Sequence, residues 1–97
     1  MPYIYILKLE SNKYYIGKTD NSSFKLRNYS NDYIWTRRYK PIKILFLIQN
    51  DDINKYIFLY MEIYGINNVR GGDYCELILS EENIISIKKE IGRNNNS

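Results

Sequence analysis

Two short runs of β-branched and aromatic residues, Tyr3 to Leu9 and Tyr14 to Gly17, stand on either side of the polar stretch Glu10-Ser11-Asn12-Lys13. Runs of this kind separated by a few turn-forming residues predict an antiparallel hairpin. Side chains alternate along a strand, so Tyr3 and Tyr5 share one face, and Tyr15 can join them across the hairpin.

The remaining pattern places other elements around that hairpin. Asp20 or Ser22 can cap a helix running to about Tyr29, although Phe24 and Leu26 are not at ideal helical spacing. Residues 28 to 40 read as a loop that Pro41 ends. Ile42 to Ile48 then predicts a third strand, whose near-continuous apolar run suggests burial on both faces. Asp51 or Asp52 caps a helix to about Tyr64. That helix is apolar almost all round, the mark of an element buried mid-domain. Gly65 stops it in a left-handed conformation, and residues 67 to 72 form a loop with two adjacent glycines. Ser80 caps the last helix, Glu81 and Glu82 favour its N-terminus, and Ile84, Ile87 and Ile91 give it an apolar stripe. Gly92 is expected to end it. The sum is a single α/β domain over residues 1–92, a small sandwich with a three-stranded, mainly antiparallel sheet flanked by helices. A flexible tail is expected over residues 93–97.

Composition narrows the chemistry. The chain has 97 residues and no histidine. That excludes Ser-His-Asp and Cys-His nucleophile systems and histidine-rich metal sites. Acid–base work falls to Tyr, Lys or carboxylates, and oxygen ligands favour a hard ion such as magnesium. The single cysteine excludes an internal disulfide; Cys75 reads as a small core residue. No run is long and apolar enough to span a bilayer, and no basic region precedes the first apolar run as in a signal peptide. A cytoplasmic or nuclear setting is expected. The net charge of +3 permits an anionic partner. Eleven tyrosines would suit stacking on nucleic acid. The excess of Tyr, Ile, Asn and Lys is also what an AT-rich coding sequence yields, and this accounts for most of them.

On the hairpin, Tyr3-Ile4-Tyr5 faces Tyr15-Ile16-Gly17. The pair resembles the two triplets of the GIY-YIG nucleases. Tyr3 stands where the motif's first glycine is expected; the second triplet is intact and continues as Lys18-Thr19. Two later blocks extend the resemblance: Trp35-Thr36-Arg37-Arg38-Tyr39-Lys40-Pro41, and the stretch from Tyr60-Met61 through Asn68-Val69-Arg70-Gly71-Gly72. Both are similar to the branch of that family typical of large DNA viruses, a resemblance that allows a setting in an infected host cell. The three blocks occur in order and cover nearly the whole chain.

The resemblance implies a metal-dependent endonuclease that hydrolyses DNA phosphodiester bonds with Mg2+ or Mn2+. Tyr15 would activate water, Tyr5 would support it, and Lys18 and Arg27 would stabilise the phosphate. A phenol has a reference pKa of about 10, so Tyr15 needs nearby cations to act as a base. Lys18 and Arg27 are expected to supply them. Tyr3, Arg37, Arg38, Asn68 and Arg70 are further candidates to touch DNA, with Arg70 alternatively bracing the glycine loop. The family's metal-binding glutamate at the start of the central helix falls on Ile53 or Asn54, neither of which can carry a metal. Glu62 or Asp52 are the remaining candidates. The same resemblance allows a catalytically weakened nucleic-acid-binding module.

Overall fold

Strands β1 (Tyr3–Leu9) and β2 (Lys13–Thr19) pair antiparallel as the expected hairpin, with Tyr5 opposite Gly17 and Leu7 opposite Tyr15. In the computed structural model the described residues are 2–29 and 33–95, with side chains described through residue 92. Positions 30–32 of the expected loop and 96–97 of the expected tail lie outside them. A 3-10 turn, Glu10–Asn12, joins the two strands, and Ser11 and Asn12 take φ of 61° and 59°. This is the left-handed region that short polar side chains tolerate best after glycine. The turn is clasped at two points to Lys40, the residue just before Pro41. Glu10 N–H donates to the Lys40 carbonyl at 2.9 Å, and Lys40 N–H donates to the Glu10 carboxylate at 3.0 Å.

Strand β3 (Pro41–Gln49) pairs antiparallel with the other side of β1. A fourth strand, β4 (Val69–Gly71), pairs parallel with β2. The sheet is therefore four-stranded and mixed, in the order β3-β1-β2-β4, rather than three-stranded and mainly antiparallel. Gly71 makes the parallel pairing possible. A Cβ there would collide with the Ile16 carbonyl oxygen, so only glycine lets the two backbones approach.

Three helices complete the chain: α1 (Ile34–Arg38), α2 (Ile53–Tyr64) and α3 (Glu81–Asn95). The expected helix from Asp20 to Tyr29 is reduced to one 3-10 turn, Leu26–Asn28. Local side-chain bonds displace it. Thr19 Oγ1 accepts from Asn21 N–H, Asn21 Oδ1 from Ser23 N–H, and Asn28 Oδ1 from Lys25 N–H; such bonds offer the backbone an alternative to the helix. Conversely, α1 arises inside the expected loop, anchored by Trp35, whose indole N–H donates to the Tyr14 carbonyl at 2.9 Å. Asp52 caps α2 as expected, accepting from Lys55 N–H, and Gly65 ends it at a φ of 102°. Gly92 does not end α3; the helix runs on to Asn95.

Alternation along β1 and β2 divides the core in two. Ile4, Ile6, Tyr14 and Ile16 face α2 and α3, meeting Ile57, Met61 and Ile87. Tyr5, Leu7, Leu9 and Tyr15 face the other way, onto Trp35, Phe24 and Tyr29. Strand β3 is at the sheet's edge, so its apolar run is only partly covered, and Ile42 and Phe46 are more than half exposed. Helix α2 is likewise one-sided: Ile57, Phe58, Tyr60 and Met61 are buried, whereas Leu59, Ile63 and Tyr64 face outward. Among the described residues no helix is long and apolar enough to cross a membrane.

Candidate nucleic-acid site

The strand register builds the site from the hairpin upward. Tyr5 and Tyr15 lie on one face, on adjacent strands and diagonal to one another, with ring centroids 6.2 Å apart. The Tyr5 ring lies directly over Gly17. A Cβ at position 17 would collide with its Cζ and hydroxyl, which gives the second triplet's glycine a physical role. Phe24 stacks on Tyr5 with centroids 4.3 Å apart. Tyr29 meets both Tyr5 and Tyr15, and its hydroxyl shares a 2.7 Å hydrogen bond with Thr36 Oγ1. Tyr33, immediately before α1, packs against Tyr15 at 5.4 Å.

These residues open onto a hollow of about 240 Å³ lined by Tyr5, Tyr15, Gly17, Lys18, Tyr33, Ile53 and Gly72. Three of the motif positions expected to act together therefore meet in one concavity: Tyr5, Tyr15 and Lys18. Lys18 is exposed at its rim. The two phenols are not electrostatically primed as bases. Burial, and then the surrounding phenols and the Cys75 thiol, push both tyrosines well above the ordinary phenol range. The expected activation by Lys18 and Arg27 is absent from those causes. At neutral pH both hydroxyls are therefore protonated and able to donate hydrogen bonds.

The other expected site residues lie elsewhere. Arg27 is exposed on the Leu26–Asn28 turn and does not line the hollow. Tyr3 is half-buried at the open end of the hairpin, opposite Thr19. Arg37 and Arg38 are exposed on α1, with the Arg38 guanidinium 4.9 Å from the Tyr39 ring centre. Asn68 accepts from Lys13 Nζ at 2.5 Å and donates to the Tyr64 carbonyl at 2.6 Å, tying the end of α2 to the hairpin. Arg70 is turned into the protein interior. It is 1% exposed, donates to the carbonyls of Glu76, Ile66, Val69 and Leu77, and lies 4.4 Å from the Trp35 ring centre. Of its two readings, the brace is the one this geometry fits.

Neither metal candidate reaches the tyrosine hollow. Asp52 and Glu62 line a separate groove of about 810 Å³ between α2 and α3, together with Lys55, Phe58 and Glu90. At the tyrosine hollow the start of α2 presents Ile53, which offers no oxygen. Among the described residues no three carboxylate or thiol groups come together as a metal cage. The side chains lining the hollow include no carboxylate, the ligand type that offsets the charge of a magnesium ion. Phe24, Tyr29, Tyr33 and Gly72 were not singled out from sequence for the site. Tyr29 and Tyr33 fall in segments without periodicity, where the tyrosine excess masks any individual signal. No protein-family model matches the chain, and no curated protein or solved structure is detectably similar to it.

Proposed function

We propose that this protein is a DNA-binding module of GIY-YIG type that seats a backbone phosphate in the tyrosine hollow. One observation carries the reading: Tyr5, Tyr15 and Lys18, three positions of the hairpin motif, line a single concavity. Protonated phenols donate hydrogen bonds to phosphoryl oxygens, and an ammonium offsets the phosphate charge. The net charge of +3 has the matching sign. Fluorescence anisotropy with labelled DNA tests it. Affinity should fall as salt rises, and Lys18→Ala should weaken binding and reduce the salt slope by about 1. Binding indifferent to both salt and Lys18→Ala would remove the hollow from DNA recognition.

Metal-dependent endonuclease action is the second reading. It is favoured by the pairing of two phenols with a cation, an arrangement similar to that expected for phosphodiester hydrolysis. In that chemistry Tyr15 would position water or donate to a phosphoryl oxygen, since its raised pKa disfavours the phenolate. Scission of plasmid or branched DNA with magnesium or manganese is the assay. Tyr15→Phe should abolish any cleavage, and cleavage that survives both this change and Lys18→Ala would place the reaction at another site.

A further inference from the structure

We infer that the tyrosine hollow takes single-stranded DNA, with one unpaired base held against the aromatic rings beside the phosphate position. This rests on the DNA-backbone reading above and narrows its substrate. A second hollow, also about 240 Å³, adjoins the first and shares Tyr5, Lys18 and Tyr33 with it. Its remaining walls are Thr19, Phe24, Asn28 and Tyr29. The volume is below the roughly 300–1,000 Å³ of drug-sized sites and suits one small planar group.

The walls match a base in chemistry as well as size. Tyr33 is 41% exposed while packed against the buried Tyr15, so it offers a ring to a ligand from a fixed support. Asn28 uses its side-chain oxygen on Lys25 N–H, and its amide carries two further donors of the kind that base edges accept. Lys18 borders both hollows. A phosphate held in one and a base in the other thus belong to neighbouring parts of one strand. In a duplex the base faces are already stacked on one another. Only an unpaired nucleotide can lay its face on a protein ring, and stacking of that kind is how single strands are held with little sequence preference.

The experiment compares three labelled DNAs by anisotropy: an oligothymidine, an abasic oligomer of the same length and charge, and a blunt-ended duplex of two fully paired strands. The oligothymidine is expected to bind about tenfold more tightly than the abasic oligomer, the order of one stacked base. Tyr33→Ala should shrink that ratio towards one, and Tyr33→Trp should preserve it, with circular dichroism confirming that each variant is folded. Equal affinity for the oligothymidine and the abasic oligomer, or tighter binding of the duplex, overturns the base hollow and leaves the phosphate reading intact. Failure to bind any of the three in a salt-sensitive way instead removes the phosphate reading itself, and the base hollow with it.

Discussion

At the scale of single residues, Arg70 ties the segment around β4 together. Its guanidinium donates to carbonyls before, within and after β4, so one side chain fixes the shape of the whole loop. Truncation to alanine takes the guanidinium from four carbonyls, one in a buried bond and three in part-buried ones, at about 1–3 kcal/mol for each that stays unsatisfied. Arg70→Ala should therefore lose roughly 3 kcal/mol or more in urea unfolding. Arg70→Lys should recover little, because an ammonium lacks the planar fork. A loss below about 1 kcal/mol would show that water readily replaces the guanidinium. The buried phenols make a second prediction. Tyr5 and Tyr15 have pKa values raised in the folded state, chiefly by burial. The unfolded chain thus gives up these protons first, near pH 10 or so. Their contribution to stability is complete below that pH and is lost as pH rises through the folded values. In an absorbance titration of tyrosinate, a late group of phenols should ionise only as the protein unfolds.

At the scale of elements, what local chemistry dictates was legible in the sequence. The hairpin was readable because alternation and a polar turn are short-range signals, and with it came Tyr5, Tyr15 and Lys18. The cap of α2 was readable for the same reason. Asp52→Ala should cost about 1 kcal/mol, measured by thermal or urea unfolding, with no effect expected on the tyrosine hollow. Strand β4 was not readable: Val69-Arg70-Gly71 carries no period, and its partner lies more than fifty residues earlier. Helix α1 is too short for periodicity to show, and it exists because Trp35 is docked. The misplacement of Arg27 followed directly from the expected helix, which the Asn21 and Asn28 turns replace. Glu62 and Asp52 could not be excluded from the hollow without knowing which side of α2 faces the sheet. Gly71→Ala probes the long-range pairing. Its methyl would strike the Ile16 carbonyl, and the resulting backbone shift should cost about 1–3 kcal/mol, with the β4 amides losing protection first in hydrogen exchange.

For the whole molecule, the sheet order sets the gradient of stability. β1 is flanked by β2 and β3 and packed on both faces, whereas β3 has one strand neighbour and exposed apolar side chains. Amide exchange should therefore be slowest in Ile4 to Leu7 and faster along the outer side of β3. Uniform protection across the two strands would contradict this gradient. Trp35 contrasts with that solvent-facing edge. It is the chain's one tryptophan, 1% exposed, bonded to β2 through its indole N–H and close to the Arg70 guanidinium. The protein consequently carries a built-in optical reporter: its intrinsic emission speaks for one seam, where α1, the hairpin and the glycine loop meet next to the tyrosines.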